Sequence, residues 1–282
     1  MAEITAAAVK SFRERTGLPL MDCKKALQEA GGDQEAAIEV LRKRGQQLAD
    51  KRSDRETAFG RFGLYIGSEK SVGAMVELLC ESAPVTTNED FVQLADDLAS
   101  VYATTPSVNT AEELLAQPSP SAEGKTLAEQ KDDLFNRIRE VFNVGRMARV
   151  EGATGGYMHH AGTTAGVMLA IEGGTDEAAK DVSMHVAAMK PAALDTDSLD
   201  PEIVNKEREI LKQAALAEGK PDNIVEKMVE GRINKFFQES CLMEQVYIKD
   251  PDKKVSDLLT QTISTLGENI SVNRFSRFSI GD

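Results

Sequence analysis

The chain has 282 residues, of which 41% are apolar, so it is long enough for two compact units or for one unit with a small appendage. Its 46 acidic residues outnumber its 33 basic ones, and the formal net charge of -13 disfavours sustained binding to nucleic-acid phosphates. A protein partner with a basic surface fits this charge better. The 3 cysteines are far apart and include no Cys-x-x-Cys pair, so we expect neither a disulfide framework nor a structural zinc site.

The amino terminus, MAEIT, lacks the basic and apolar regions of a secretory signal. Residues 152–171 form an uncharged run, but this run contains five Gly, three Thr and two His. Such a composition is typical of a glycine-rich hairpin and not of a helix in a bilayer. We therefore expect a cytoplasmic protein without a membrane segment.

Three short helices are predicted at the start of the chain, with glycine-containing breakers between them. Apolar residues recur at i, i+3 and i+4 spacing in these helices and can meet in one small bundle. So small a bundle has little core and is expected to pack on a neighbouring unit. The predicted helices are residues 5–15, 19–30 and 33–44, the last one ended by Gly45, and the apolar stripes are Val9 and Phe12, Cys23 and Leu27, and Ile38 and Leu41.

Residues 46–56 alternate basic and acidic side chains and have no sustained apolar stripe. A linker or a solvated helix is the favoured interpretation, because the acids between the bases weaken the alternative of a basic arm that binds nucleic acid. We therefore place the end of an N-terminal unit near residue 55.

Two later segments, residues 63–78 and 156–171, resemble each other and indicate an internal duplication. Each contains two apolar runs joined by a turn of small residues, which is typical of an antiparallel hairpin. The matching positions are Gly73 with Gly166 and Met75 with Met168; a helix is predicted after each hairpin, at 91–102 and 177–189, and a similar final strand in each copy, at 146–152 and 274–281.

The predicted fold class is therefore α+β, with two related core subdomains that each contain an antiparallel sheet. The predicted domains are residues 1–55, 56–152 and 153–282. Within the first copy, residues 104–125 are rich in Pro, Ser, Ala and Glu and predict an exposed loop with limited order. Thr126 and Glu129 then form a predicted capping box at the start of a further helix.

The second copy contains a predicted insertion at about residues 198–240. Asp200 and Pro201 begin a helix, the stretch 219–221 interrupts it, and a second apolar helix follows. This pattern predicts an antiparallel helical hairpin that projects from the core. Two apolar rows at heptad spacing lie on its first helix, Ile203 with Ile210 and Val204 with Leu211.

Sequence signals for catalysis are weak. No phosphate-loop motif of the form Gly-x-x-x-x-Gly-Lys-Ser/Thr occurs, so we do not expect GTP hydrolysis. His159 and His160 are neighbours in a predicted strand and should point to opposite faces, which disfavours a shared metal ion. His185 lies among apolar residues on a predicted helix and is interpreted as a hydrogen-bonded packing residue, not a general base. We expect no enzymatic activity, no cofactor and no metal.

The stretch RTGLPLMDCKKAL at residues 15–27 closely resembles the amino-terminal signature of the elongation factor Ts family, which most often reads RTGAGMMDCKKAL. Residues 183–191, SMHVAAMKP, are similar to the central motif of that family, and residues 226–236, EKMVEGRINKF, to its motif in the helical hairpin. Together with residues 274–281, the resemblance extends over nearly the whole chain in order.

This resemblance implies a three-helix bundle like the ubiquitin-associated domain, a duplicated core and a coiled-coil hairpin. It also implies a function, namely that the protein binds the GTPase elongation factor Tu and speeds release of its guanine nucleotide. No nucleic acid and no membrane are expected as partners. The sequence leaves open whether the protein forms a homodimer or a 2:2 complex with the GTPase.

The resemblance further assigns residues to partner binding. The bundle face around Phe12, Leu20, Met21 and Lys24 is expected to dock on the GTPase domain. The residues alone leave open whether Leu20 and Met21 contact a partner or fill the bundle core. His159 matches the Tyr-x-His motif of the family and is expected to contact a distal domain of the partner.

One stretch departs from the family pattern at an important place. The family has Thr-Asp-Phe-Val, whose Asp and Phe lie beside the partner's nucleotide and magnesium site, whereas this chain has Ser82, Ala83, Pro84 and Val85. One hypothesis is that exchange activity persists, with Pro84 and Val85 as a blunter wedge or with an adapted GTPase. The alternative is a stabiliser or chaperone of elongation factor Tu that lacks exchange activity.

A second departure lies at the end of the helix that begins with the capping box. The family has a Gly-Glu-Asn-Ile stretch there, whereas this chain has Ile138 and Arg139, with Arg139 in place of the Gly. Both residues are assigned to the same partner-binding surface.

Overall fold

The computed structural model describes residues 4–52, 54–67, 71–152, 154–219 and 221–281, and it shows an α+β protein with two three-stranded antiparallel sheets. This confirms the predicted fold class. No helix within these ranges is both long and apolar enough to cross a membrane.

The helices are α1 (Ala6–Thr16), α2 (Leu20–Glu29), α3 (Gln34–Asp50), α4 (Glu89–Thr104), α5 (Ala111–Leu115), α6 (Leu127–Ile138), α7 (Asp176–Met189), α8 (Pro201–Ala217), α9 (Asp222–Ser240) and α10 (Val255–Leu266). The strands are β1 (Phe59–Ile66), β2 (Val72–Cys80), β3 (Phe142–Glu151), β4 (Thr154–His159), β5 (Ala165–Glu172) and β6 (Ser271–Ser279).

Helices α1, α2 and α3 share a small core of their own, in which Phe12, Cys23 and Leu27 are almost completely buried. The predicted end of the third helix at Gly45 is wrong, because α3 continues to Asp50. Gly45 serves close packing instead: a Cβ at this position would lie 2.0 Å from the side-chain oxygen of Asn136 in α6. The start of the predicted linker is therefore the last turn of α3, which packs on the hydrophobic core between the first sheet and α4; we call this core the first core.

The two sheets repeat one arrangement. Strand β2 lies between β1 and β3, strand β5 lies between β4 and β6, and all neighbouring strands are antiparallel. Helix α4 covers the first sheet and α7 covers the second. The two predicted hairpins and the two predicted final strands are thus present in equivalent places, although residues 68–70 of the first hairpin turn lie outside the described residues.

The two sheets pack against each other through the matching residues of the duplication. A Cβ on Gly166 would lie 2.4 Å from the sulfur of Met75, and a Cβ on Gly73 would lie 3.2 Å from the sulfur of Met168. Each copy therefore places its methionine against the glycine of the other. The ring of Phe62 in β1 extends the contact to Phe278 in β6, at 6.2 Å between ring centroids.

The stretch 104–125 is more ordered than its composition predicts. It contains α5, which has a capping box formed by Thr110 and Glu113, and it buries Val108 and Leu114 in the first core. Farther along, Ser121 donates a hydrogen bond to the buried Asp97 of α4. The expectation of limited order is therefore wrong, because contacts with α4 fix this segment. The predicted capping box of α6 is confirmed.

Helices α8 and α9 follow each other in the region of the predicted hairpin and pack against each other. Ala215 in α8 and Ile233 in α9 are almost completely buried. Of the two predicted heptad rows, the one that contains Val204 is partly buried, whereas Ile203 and Ile210 remain about half exposed. Only one row therefore faces the partner helix.

His185 is completely buried in the second subdomain and makes two hydrogen bonds. The backbone N–H of Ile248 donates to its Nδ1 at 3.2 Å, so Nε2 is the protonated nitrogen and donates to the Gln245 side-chain oxygen at 2.9 Å. Burial lowers the pKa of His185, and the bond to Gln245 offsets this only in part. The packing role predicted for this histidine agrees with these contacts.

We expect the free energy of unfolding to fall as the pH decreases from about 7 to about 5, and His185 to contribute to that fall. The unfolded chain protonates this histidine near its ordinary pKa of about 6.5, whereas the folded chain keeps it neutral to lower pH. As the pH falls below about 6.5, the free energy of unfolding therefore decreases, by up to about 1.4 kcal/mol per pH unit for one group. Urea titrations of the parent and of His185→Gln at several pH values measure the effect. The variant should show the shallower pH dependence, and equal slopes would contradict the assignment to His185.

Candidate partner-binding surface

The outward face of α2 carries three of the residues assigned to partner binding. Leu20 and Met21 keep 48% and 58% of their surface exposed, and Lys24 is exposed as well. Phe12 has no exposed surface, so it cannot touch a partner directly and instead supports α2 from inside the bundle. Of the two alternatives for Leu20 and Met21, the structure therefore excludes that they fill the bundle core.

Residues 82–85 lie at the end of β2 and begin a short 3-10 helix, Ala83–Thr87, which we call the 83–87 turn. Ala83 and Pro84 are exposed, whereas Val85 is buried in the first core and cannot act as part of a wedge. Ser82 is partly buried and fixes the start of the turn, because its backbone N–H and its hydroxyl both donate to the Glu140 carboxylate, at 3.0 and 2.5 Å.

The end of α6 brings the bundle and the first sheet together. Ile138 is partly buried against the first core. Arg139 follows with φ +68°, a left-handed conformation that ends the helix, and its backbone N–H donates to the Phe135 carbonyl at 2.7 Å. Its guanidinium donates to the Asp22 carboxylate of α2 at 2.5 Å, and its carbonyl accepts a bond from Arg52 at 2.6 Å.

Position 139 allows a direct test of backbone strain. Glycine adopts positive φ freely, whereas a side chain there costs about 1 kcal/mol. We therefore expect Arg139→Gly to be more stable than Arg139→Ala by about 1 kcal/mol, although both variants lose the bond to Asp22. Urea denaturation of the two variants measures this difference. Equal stabilities would mean that the turn changes its conformation when the arginine is removed.

The α2 face, the 83–87 turn and the end of α6 thus form one connected surface. Arg139 joins α6 to α2, and Glu140 joins the same segment to Ser82. The neighbouring Glu81 accepts bonds from the Val141 N–H at 2.8 Å and from Arg55 at 2.9 Å. Burial alone would raise the pKa of Glu81, but these hydrogen bonds outweigh it and the pKa is lowered.

His159 lies at the end of β4, beside a short 3-10 turn, His160–Gly162, which we call the 160–162 turn. The prediction that His159 and His160 point to opposite faces is wrong, because His160 leaves the strand with φ +48°. The two rings stack with their centroids 4.1 Å apart. Nδ1 of His159 also lies 3.1 Å from the hydroxyl oxygen of Tyr157. Within the described residues, no three His, Cys, Asp or Glu side chains form a group that could hold a metal ion.

Arg61 of β1 links this histidine turn to the rest of the surface. Its guanidinium donates to the Thr86 carbonyl at 2.9 Å and to the Ala161 carbonyl at 3.0 Å. Neither Arg61 nor Glu140 is among the residues predicted from the sequence to bind a partner. The signal for Arg61 was a charged side chain in an otherwise uncharged strand, whereas Glu140 gave no signal, because its partner Ser82 is 58 residues away.

The chain was compared with known proteins. The sequence model of the family described as Elongation factor TS matches residues 81–282. The chain is 44% identical over 282 residues to the Elongation factor Ts of Methylococcus capsulatus, with 99% of this chain and 92% of the relative covered. It is 42% identical to that of Clostridium botulinum, covering 99% and 93%, and 38% identical to that of Nitratidesulfovibrio vulgaris, covering 99% and 96%.

These likenesses, over a chain of this fold, define a translation elongation factor. More particularly, the chain belongs to the elongation factor Ts family. The matches to the relatives extend over nearly the whole chain and so include every residue of the surface described above.

Proposed function

We propose that the protein is a guanine-nucleotide exchange factor for elongation factor Tu, which it binds through the α2 face, the 83–87 turn, the end of α6 and the turn at His159. It acts by linkage: a partner that binds the empty GTPase more tightly than the loaded one weakens nucleotide binding by the same factor. No bond is made or broken in this action, so the protein is not an enzyme. Each tenfold gain in the release rate needs about 1.4 kcal/mol of differential binding at the barrier.

The observation that carries the proposal is the exposure of Leu20 and Met21 on α2. Two large apolar side chains on one helical turn, with Lys24 next to them, have the composition of a protein-binding patch. The bond between Asp22 and Arg139 holds this patch in a fixed position relative to the 83–87 turn. A prearranged surface of this kind loses less conformational entropy when it binds.

The alternative is a stabiliser of elongation factor Tu without exchange activity. It is favoured by one observation, that the exposed residues of the 83–87 turn are Ala83, Pro84 and Thr87, which offer neither a carboxylate nor an aromatic ring. Both functions require a stable complex with the GTPase. Only the first requires faster nucleotide release.

Stopped-flow release of fluorescent GDP from the cognate elongation factor Tu separates the two functions. The parent protein is expected to accelerate release, and an Ala83→Asp, Pro84→Phe variant restores the side chains usual in the family. Acceleration by the parent would show that these side chains are dispensable here. Binding without acceleration, with acceleration by the variant alone, would contradict the exchange function and support the stabiliser.

The finer architecture belongs to the same proposal. We assign residues 1–55 to a domain of the ubiquitin-associated type, 56–152 and 153–282 to the two core subdomains, and about 198–240 to an inserted coiled-coil hairpin. The separate core of the bundle supports a distinct N-terminal domain. The pairing between Ala193 and Cys241, just outside residues 198–240, supports the assignment of that stretch as an insertion.

A further inference from the structure

Arg61 occupies an unusual place for a charged side chain. Only 6% of its surface is exposed, and its Nε–H has no hydrogen-bond acceptor among the residues that the structure describes. Burying a guanidinium with an unused donor costs free energy, and an apolar side chain in the same strand would avoid that cost. The charge of Asp96 offsets this cost only in part, because burial still lowers the pKa of Arg61, so the arginine is a poor choice for the stability of β1 alone.

The two acceptors of Arg61 lie in separate parts of the chain. Thr86, in the 83–87 turn, is 25 residues away, and Ala161, in the 160–162 turn, is 100 residues away. The first turn belongs to one subdomain and contains the exposed Ala83 and Pro84, whereas the second belongs to the other subdomain and follows His159. One planar guanidinium thus bonds to both turns at once, which its rigid fork of donors makes possible.

The 160–162 turn needs such support. His160 and Ala161 both have positive φ, at +48° and +53°, and a non-glycine residue in this region costs about 1 kcal/mol. Gly162 follows at +88°, and a Cβ there would lie 2.8 Å from the carbonyl oxygen of Phe62, the residue next to Arg61. The turn is therefore pressed against β1 in a conformation that it would not adopt alone.

We propose that Arg61 is a positioning residue that holds the 83–87 turn and the 160–162 turn in one fixed arrangement, so that they dock on the partner GTPase as a single unit. This inference rests on the proposed function for its docking step only. The coupling of the two turns is a property of the free protein. Arg61 does not contact the partner itself. It acts by holding the two turns in place.

The matched control is Arg149 of β3. Its guanidinium also donates to backbone carbonyls, those of Thr105 at 3.0 Å and Pro106 at 2.8 Å. These carbonyls follow the C-terminal end of α4, whereas the 83–87 turn precedes its N-terminal end. The 16 residues of α4 separate the two places by about 24 Å at 1.5 Å per residue. Arg149→Leu therefore removes bonds of the same kind away from the proposed surface, and it removes more of them, because Arg149 also donates to the carbonyls of Tyr102 and Val108.

Hydrogen–deuterium exchange of the free, full-length protein tests the coupling. In Arg61→Leu, the amides of residues 85–88 and of residues 161–164 should both exchange about 10-fold faster or more, which is the effect of about 1.4 kcal/mol of lost local stability. In Arg149→Leu, faster exchange should be confined to residues 104–109. Arg61→Lys keeps the charge but lacks the planar fork, and it should loosen the same two turns. Faster exchange in only one turn, or in neither, would overturn the proposal.

Affinity for nucleotide-free elongation factor Tu tests the docking step. We expect Arg61→Leu and Arg61→Lys to bind about 10-fold more weakly than the parent, and Arg149→Leu to bind as the parent does, because lost prearrangement weakens binding. A parent that binds without accelerating GDP release would contradict the proposed function and leave this inference standing. Unchanged affinity of both Arg61 variants, with both turns loosened, would overturn the docking step.

Discussion

Replacing Gly63 by Ala is expected to lower the free energy of unfolding by about 3 kcal/mol. Gly63 lies in β1 beneath α4, and a Cβ there would sit 1.9 Å from the backbone carbonyl oxygen of Ala95. The neighbouring Leu94 and Leu98 are completely buried, so α4 can move away from β1 only if the first core opens. Urea denaturation followed by far-ultraviolet circular dichroism measures the loss.

The control for this substitution is Gly231 in the interior of α9. Apart from its chain neighbours and the backbone of α9 itself, no atom of the described residues lies within 4 Å of the place that a Cβ would take, and the backbone is helical. Gly231→Ala should therefore raise the free energy of unfolding, by about 1 kcal/mol, because alanine favours the helix. A Gly63→Ala variant as stable as the parent would show that α4 adjusts without cost and would contradict the close approach.

The second large effect is expected on binding. The double substitution Leu20→Ser, Met21→Ser should weaken binding to nucleotide-free elongation factor Tu about 100-fold, because large apolar side chains at the centre of an interface dominate its affinity. Stability should change by less than about 0.5 kcal/mol per residue, since both side chains are about half exposed in the free protein. Titration calorimetry measures the affinity, and thermal unfolding measures the stability.

Leu266 provides the comparison for this pair. It lies at the end of α10 with 42% of its surface exposed, and it belongs to no part of the proposed surface. Leu266→Ser should leave the affinity unchanged. If the Leu20 and Met21 variant bound as tightly as the parent, the α2 face would have to be removed from the binding surface.

Features with a local signal were predictable from the sequence. The capping box at Thr126 and the glycine break that ends α1, at Gly17, depend on residues within one turn, and both are present. The repeated hairpins were also visible, because strand alternation and matching glycines lie close together in the sequence. These elements were sufficient for the fold class.

Features that depend on distant contacts were not predictable. Gly45 has the sequence character of a helix terminator, but the side chain of Asn136 makes it a packing position. The stretch 104–125 has the composition of a mobile loop, but Asp97 and the first core fix it. For the candidate surface, sequence patterns could not separate the buried Phe12 from the exposed Met21, since helical spacing suits both.

The reciprocal packing of Met75 on Gly166 and of Met168 on Gly73 gives the core the form of a dimer within one chain. In a homodimer with two-fold symmetry, a surface pairs with a second copy of itself, and residue i contacts j while j contacts i. Here the two copies belong to one chain, so each subdomain can change in sequence and still remain next to the other. This explains how one half could acquire a helical hairpin and the other could carry the bundle while both keep the same methionine and glycine at their contact.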